Sequence, residues 1–175
     1  MIDSPLLPSL GGYINGEWVM ADSGRTLAVT NPVDNGHLAE IAAMGGDETR
    51  RAIAAAEAAL AQPTDLDQRR RWLDAIADAL IAHREEIGRI LCMEHGKPLA
   101  EAQGEADYAA GFFRYAAAHI DALGAHTLDE RPRDCTWHVH YRPAGVVGLI
   151  TPWNFPIGMI AKKLSSAIAA DCASV

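Results

Sequence analysis

The clearest pattern of hydrophobic positions lies in residues 145–168. Residues 145–150 form a short apolar run, Gly-Val-Val-Gly-Leu-Ile, which is typical of a parallel strand covered on both faces. Apolar residues then recur with the spacing of one helix face, at Ile157, Ile160, Ala161, Leu164 and Ile168. Between these elements residues 151–156 read Thr-Pro-Trp-Asn-Phe-Pro, a turn stiffened by two prolines. Because open α/β sheets bind ligands beyond the carboxyl ends of their strands, this turn is the candidate site.

The first fifty residues carry signals for β-strands. Asn15-Gly16 separates two β-prone pairs, which is the strongest short-range signal for a hairpin. Residues 26–30 and 38–44 are further predicted strands, and each is followed by turn residues. Together these segments predict a small amino-terminal sheet layer.

One predicted helix follows this layer directly. It covers residues 48–61, with Asp47 as its N-cap and Pro63 just after its end. We therefore expect the Asp47 side chain to accept a backbone N–H from the first turn.

Two longer helical patterns come next. The first begins near Thr64, breaks near His83 and ends at Gly96, since glycine readily adopts the left-handed backbone of a helix end. The second covers residues 99–123 and starts beside Pro98, a residue suited to the first turn of a helix. Its high content of small residues predicts close packing against neighbouring helices.

Residues 136–142, which follow a polar boundary at residues 131–134, alternate between two faces as a strand requires. The apolar face consists of Trp137, Val139 and Tyr141, and the polar face consists of His138, His140 and Arg142. The pair His138 and His140 could bind a metal ion, but the sequence offers no third ligand. A solvated face is therefore expected, and no metal site is predicted.

Composition narrows the class of protein. The 175 residues suit one domain with a sizeable core, and 49% hydrophobic with 22% charged residues is ordinary for a globular protein. The net charge of -8 argues against nucleic acid or an anionic membrane as a partner, because both require a basic face. The sequence shows no pattern of a signal peptide, which predicts a cytoplasmic protein. Cys92, Cys135 and Cys172 are odd in number and widely spaced, unlike a disulfide framework or a zinc motif.

Three motifs make the sequence similar to one enzyme family. They are the Thr-Pro-Trp-Asn-Phe-Pro turn, the Glu-His-Gly-Lys-Pro run at residues 94–98, and the amino-terminal hairpin with its Thr-Asn-Pro turn. The sequence resembles the NAD(P)-dependent aldehyde dehydrogenase family, in particular its succinate-semialdehyde dehydrogenase-like members. The resemblance covers essentially the whole chain but only the amino-terminal third of a family member. Residues 94–98 are interpreted as packing and capping rather than chemistry.

The resemblance implies roles for the residues of the candidate site. The positions that match cofactor contacts are Ile150, Thr151, Pro152, Trp153 and Asn154. Asn154 also matches the catalytic residue whose amide stabilises the oxyanion formed when a cysteine thiolate adds to the aldehyde, a task that suits a neutral N–H donor. Lys163 matches a lysine near the catalytic cysteine. The residues alone leave two alternatives open, that Asn154 only caps the next helix and that Trp153 belongs to the core.

The implied cofactor is NAD or NADP. The sequence contains no Gly-x-Gly-x-x-Gly fingerprint, but the family binds NAD in a Rossmann-like fold without that loop. The expected fold is therefore α/β, a truncated amino-terminal part of a Rossmann-like parallel-sheet cofactor-binding domain. A helical layer, a small amino-terminal β layer and one strand of an oligomerisation sheet, at residues 135–143, complete it. Residues 1–175 are expected to be an incomplete cofactor-binding domain without the catalytic domain.

The implied activity is oxidation of an aldehyde to a carboxylic acid by thiohemiacetal formation and hydride transfer, with succinate semialdehyde as the candidate substrate. The family's nucleophilic cysteine and activating glutamate are expected beyond residue 175, so the chain alone is expected to be inactive. A homo-oligomer, dimer or tetramer, is expected for the complete enzyme. The alternative function is a non-catalytic product with at most a role in oligomerisation or other interactions.

Residue 171 departs from the family pattern, which commonly has Gly-Cys at positions 171–172. Asp171 replaces the glycine, and an L-residue tolerates a left-handed backbone less well than glycine. Cys172 does not match the nucleophile, and we expect it to be a buried, inert thiol.

Overall fold

A computed structural model describes residues 2–62 and 64–175 of the protein. Within these residues the strands form three antiparallel pairs, β1 (Gly12–Ile14) with β2 (Glu17–Val19), β3 (Thr26–Thr30) with β4 (His37–Ala42), and β5 (His126–Thr127) with β6 (His138–Val139). The helices are α1 (Gly46–Leu60), α2 (Leu66–Ala82), α3 (Arg84–His95), α4 (Leu99–His119), which a 3-10 turn at Ile120–Leu123 extends, and α5 (Pro156–Ala169). None of the helices in the described ranges has the length and apolar character needed to cross a membrane. The predicted mixture of helix and sheet is confirmed.

The amino-terminal sheet layer forms as the turn residues predict. Asn15 has φ 52° and Gly16 has φ 84°, so both central residues of the β1–β2 turn are left-handed, as a tight hairpin requires. The β3–β4 pair carries an irregularity between Val29 and Thr30. The hairpin and both further strands of this layer are confirmed, although the strand predicted at residues 38–44 begins at His37 and ends at Ala42.

Helix α1 begins earlier than predicted, and Asp47 is not its N-cap. The N-cap is Gly45, whose backbone N–H donates to Glu48 Oε2 at 2.7 Å. The other oxygen of Glu48 accepts the backbone N–H of Asp22 at 2.7 Å. Glu48 thus joins the start of the helix to Gly45 and to the loop between β2 and β3. Asp47 lies in the first turn, where its charge complements the helix dipole. Pro63, predicted to follow the helix end, lies outside the described residues.

The next three helices begin and end close to the predicted positions. Asp65 caps α2 by accepting the Gln68 backbone N–H at 2.6 Å. The break at His83 separates α2 from α3, and Gly96 ends α3 with a left-handed φ of 75°. Pro98 is the N-cap of α4, one position before its first helical residue. The helix predicted over residues 99–123 is α-helical to His119, and its last four residues, Ile120–Leu123, form the 3-10 turn.

The core lies where α2, α4 and α5 meet. Leu73, Phe113 and Ile120 are among its most buried side chains. Alanines fill most other buried positions of α4, so neighbouring helices approach closely. At Gly88 of α3, an added Cβ atom would lie 2.5 Å from Cγ and 2.9 Å from the backbone nitrogen of Gln103 in α4. The predicted close packing of α4 is confirmed.

Helix α5 contacts the core through a face that differs in part from the predicted one. The positions that the pattern predicted correctly are Ile157, Ala161, Leu164 and Ile168. The prediction is wrong for Ile160, which is 46% exposed. Gly158 and Ser165 are buried instead, because α5 lies against α4 through small residues and its buried face is rotated toward them.

The apolar run at residues 145–150 pairs with residues 173–175 in the predicted parallel orientation. Val147 N–H donates to the Ala173 carbonyl at 2.9 Å, and Val175 N–H donates to the Val147 carbonyl at 3.0 Å. Leu149 N–H donates to the Val175 carbonyl at 2.7 Å. These hydrogen bonds join Val147 and Leu149 to Ala173 and Val175.

The predicted strand at residues 136–142 is longer than the observed one. The observed strand is His138–Val139, which pairs with His126–Thr127, and the Leu128 N–H also donates to the Trp137 carbonyl at 3.1 Å. The predicted apolar face is not packed, since Trp137 is 49% exposed and Tyr141 is 54% exposed. The role of residues 135–143 in oligomerisation stays a prediction.

Asp171 ends α5 in a left-handed conformation, with φ 58°. Its carboxylate accepts the Thr64 hydroxyl at 2.6 Å and the Thr64 backbone N–H at 3.3 Å. Arg69 lies 4.0 Å from the same carboxylate and donates to the Ala169 carbonyl. These contacts explain why an aspartate is accommodated at a position that favours glycine: its side chain joins the end of α5 to the start of α2.

Replacing Asp171 tests this explanation. Asp171→Ala should lower the free energy of unfolding by about 2 kcal/mol, because it removes charge-assisted hydrogen bonds and keeps a Cβ in the left-handed region. Asp171→Gly should be milder, since glycine relieves the backbone strain, and Asp171→Asn milder still, since it keeps a hydrogen-bonding side chain. Thermal and denaturant unfolding measure the series. An alanine variant as stable as the parent would contradict the explanation.

Glu48 makes part of the stability depend on pH. The Asp22 N–H, the backbone of Glu48 itself and the Gly45 N–H hold the pKa of its carboxyl below the ordinary value of 4.5. The stabilisation is therefore present above the ordinary pKa and lost as pH falls through the lower folded-state pKa.

Glu48→Gln should accordingly lower the melting temperature at neutral pH, with a difference from the parent that shrinks as pH falls below the ordinary carboxyl range. Glu57 is exposed on α1, so Glu57→Gln is the matched control. It should change neither the melting temperature at neutral pH nor the dependence of the melting temperature on pH. Melting curves between neutral and acid pH measure both variants. A difference that is constant over that range would show that the carboxylate charge is not involved.

Candidate functional site

A buried carboxylate from α4 caps the helix that follows the candidate turn. Glu105 is 3% exposed, and its Oε1 accepts the backbone N–H groups of Ile157 at 2.9 Å and Gly158 at 3.2 Å. These N–H groups belong to the first turn of α5, where a helix has no internal acceptors for them. The negative charge also lies at the positive end of the helix dipole. Glu105 thus fixes the start of α5 relative to α4.

Lys97 neutralises this carboxylate. Its ammonium group forms an ion pair with Glu105 Oε2, and the lysine side chain is only 12% exposed. The same ammonium lies 4.1 Å from the ring centroid of Phe155, a cation–π arrangement. Phe155 is the N-cap residue of α5. The expected packing role of residues 94–98 therefore includes a specific charge contact with the candidate site.

Tyr108 completes the contact between the two helices. It lies one turn after Glu105 on α4, with its ring centroid 6.2 Å from that of Phe155. Its ring is also 3.0 Å from the point where a Cβ on Gly158 would lie, so any larger residue there would displace it. We refer to Lys97, Glu105, Tyr108 and Phe155 as the α4–α5 clamp.

Sequence reasoning misses Glu105 as a member of the site. The signal lies in the helix pattern, because Glu105 shares its face with Ala102, Ala106 and Ala109, all fully buried. An ionisable residue on an otherwise apolar face must have partners inside the protein. The pattern could have identified a buried glutamate, but not which N–H groups it contacts.

Asn154 lies directly before the clamped Phe155, and its side chain is exposed. It does not cap α5, since the N-cap is Phe155 and Glu105 accepts the first-turn N–H groups. Among the described residues no hydrogen bond engages its side-chain amide. It lines a depression of about 420 Å³ together with Tyr108, Phe155 and Met159. The capping alternative is therefore wrong, and the amide is free to contact a ligand.

Trp153 and Ile150 are strongly exposed, at 79% and 89%. The centroid of the Trp153 ring lies 6.4 Å from that of the His95 ring, so Trp153 lies beside the end of α3 and outside the core. The alternative that Trp153 is a core residue is wrong. Pro152 is exposed and Thr151 is half-buried. Together these residues present apolar surface at the end of the paired strand segment, which suits a flat, ring-containing ligand.

Lys163 and the cysteines take no part in this arrangement. Lys163 is half-buried on α5, and within the described ranges its ammonium makes no ion pair. All three cysteines are free thiols. Cys135 is exposed, while Cys92 and Cys172 are half-buried, so Cys172 is less buried than expected.

Burial raises the pKa of the Glu94 carboxyl at the end of α3, near His95. The rings of His138 and His140 are 6.4 Å apart, and the residues that the structure describes include no cluster of three or more side chains placed to hold a metal ion. The chemistry that the described site offers is therefore a neutral amide donor beside an apolar wall.

Comparison with known proteins identifies relatives of this chain. The family model described as "Aldehyde dehydrogenase family" matches residues 18–175. Glutarate-semialdehyde dehydrogenase of Pseudomonas putida is 40% identical over 169 residues, and succinate-semialdehyde dehydrogenase (NADP(+)) of Escherichia coli is 39% identical over 168 residues. Each alignment covers 93% of this chain and 34% of the relative. The chain thus spans about a third of the length of the curated relatives it matches.

The fold of this chain is also similar to that of a solved structure. The oxidoreductase from Marinobacter aquaeolei superposes with a TM-score of 0.94 at 57% sequence identity. The superposition covers 99% of this chain and 37% of that protein. The segments that carry the clamp and the candidate turn all fall within these matches.

Proposed function

Because the chain belongs to the aldehyde dehydrogenase family, we propose that it forms the amino-terminal part of an NAD(P)-dependent enzyme that oxidises an aldehyde to its carboxylic acid. The candidate substrate class is a semialdehyde with a terminal carboxylate, such as succinate semialdehyde. Support for that class comes from the names of the two relatives, which act on glutarate and succinate semialdehydes.

The exposed amide of Asn154 is the observation that carries the proposal. It follows the strand segment, borders the depression next to Tyr108, and sits on a turn whose far side is clamped. A neutral amide N–H donor stabilises an oxyanion without titrating, so its contribution does not vary with pH. In the proposed enzyme Asn154 donates to the oxygen of the aldehyde as a thiolate adds to the carbonyl carbon.

The residues before Asn154 fit a dinucleotide cofactor. Ile150 and Trp153 are exposed apolar side chains at the end of a strand segment, where α/β folds bind nucleotides. In the proposed enzyme Ile150, Thr151, Pro152 and Trp153 contact NAD or NADP, which when bound accepts the hydride of the aldehyde. The choice between the two cofactors stays open in the proposal.

We further propose that residues 1–175 are inactive on their own. None of the three cysteines lines the depression at Asn154, so the thiolate and its activating base must come from other parts of the enzyme. Lys163 is proposed to lie near that cysteine. Assembly as a homo-oligomer through residues 135–143 is proposed as well, and the exposed side chains of Trp137 and Tyr141 support it.

Replacing Asn154 tests the oxyanion role. In a complete dehydrogenase that contains this segment, Asn154→Ala should reduce turnover by roughly 100- to 1000-fold, the effect of a lost oxyanion donor, while the dissociation constant of NAD(P) stays nearly unchanged. Steady-state kinetics and cofactor titration provide the two values. Asn31→Ala, in the turn between β3 and β4, is the control and should keep full turnover. Loss of cofactor binding with intact turnover at saturation would refute the assignment.

Replacing Trp153 tests the cofactor wall. Trp153→Ala should weaken NAD(P) binding, because it removes an exposed aromatic surface, while Trp153→Phe should be mild. The pH dependence of the rate should not change, since no titrating group is lost. Calorimetric titration of the cofactor measures the effect, with Trp18→Ala on β2 as a control. An alanine variant with the parent's dissociation constant would exclude Trp153 from the site.

A further inference from the structure

The environment of Glu105 is unusual for a charged side chain. The side chain is 1% exposed, and its partners are two backbone N–H groups of α5 and the ammonium of Lys97. A buried carboxylate is costly unless its oxygens are fully paired, so these contacts restrain it to one position. Both oxygens are used, one toward α5 and the other toward Lys97.

Phe155, which contacts Lys97 and Tyr108, directly follows Asn154 in the chain. Phe155 is held between the Lys97 ammonium, 4.1 Å from its ring centroid, and the Tyr108 ring at 6.2 Å. Since no hydrogen bond of the described residues orients the Asn154 amide, its placement depends on the backbone that Phe155 anchors. The clamp therefore fixes the backbone position from which the Asn154 amide extends.

We propose that Glu105 and Lys97 are positioning residues for Asn154, an inference that rests on the function proposed above. They touch neither substrate nor cofactor. The pair fixes the first turn of α5 and the Phe155 ring, and so aims the amide at the oxyanion. Displacing a catalytic group by about 1 Å can reduce a rate about 100-fold, so loss of the clamp should appear in turnover.

The test is a double-mutant cycle between Glu105 and Asn154 in a complete dehydrogenase that contains this segment. Glu105→Gln keeps one carbonyl acceptor but removes the charge paired with Lys97. It should reduce turnover per active site roughly 10- to 100-fold, with changes below about threefold in the KM for aldehyde and the dissociation constant of NAD(P). In the Asn154→Ala background the same change should cost less than about threefold, because the group that it positions is already absent.

The matched control is Asp107→Asn. Asp107 lies two residues from Glu105 on α4, and its exposed carboxylate pairs with Arg84 at 3.5 Å. Loss of this surface pair should leave turnover unchanged in both backgrounds. Circular dichroism and melting curves for every variant separate loss of fold from loss of rate.

A second pair of variants applies if Glu105→Gln does not fold. Lys97→Met removes the ammonium from both Glu105 and Phe155 and should show the same non-additivity with Asn154→Ala. Lys97→Arg keeps a cation that can pair with the carboxylate and stack on the ring, so it should retain most of the turnover.

The outcomes distinguish the two proposals. Equal losses from Glu105→Gln or Lys97→Met in both backgrounds, or no loss in the parent, would overturn the positioning role while leaving the function intact. Full turnover in Asn154→Ala alone would instead overturn the proposed function. A loss that appears only when Asn154 is present supports both.

Discussion

The burial of one carboxylate constrains the arrangement of the candidate site. Burying the Glu105 carboxylate is costly unless its oxygens have partners, which the first-turn N–H groups of α5 and Lys97 in the loop after α3 provide. These requirements bring three separate segments together, and none of them can move without exposing an unpaired group. A purely apolar contact between α4 and α5 would allow sliding, whereas the directional hydrogen bonds of Glu105 do not.

The backbone of the candidate turn is consequently fixed at both ends, while several side chains between these ends are exposed. On one side the Leu149 N–H pairs with the Val175 carbonyl at 2.7 Å, and on the other Phe155 is clamped. The intervening side chains of Ile150, Trp153 and Asn154 point away from the core. Such an arrangement combines a rigid backbone with accessible functional groups, which is what preorganised recognition of a transition state requires.

The sequence predicted features that depend on nearby residues, and failed where distant residues decide. Asn15-Gly16 and Gly96 specify their turns through their own backbone preferences, so both were predictable. The contact from the Asp22 N–H to Glu48, which links the start of α1 to the loop between β2 and β3, spans 26 residues, and no local pattern contains it. Ile160 follows the helix period correctly, yet the small residues of α5 turn its buried face elsewhere. The motif around Asn154 located the candidate site, while the clamp that holds it required the helices to be placed in space.

The contact between Thr64 and Asp171 bears on the order in which the chain folds. These residues are 107 positions apart, so their hydrogen bond closes a loop that contains the four helices α2 to α5. The entropy lost in closing so long a loop is recovered only when many other contacts already hold its ends near each other. We therefore expect local helices and the α2–α4 packing to form before this polar junction and before the pairing of residues 173–175 beside Val147. Native-state hydrogen exchange would then register the carboxyl-terminal segment as the first part of the fold to open.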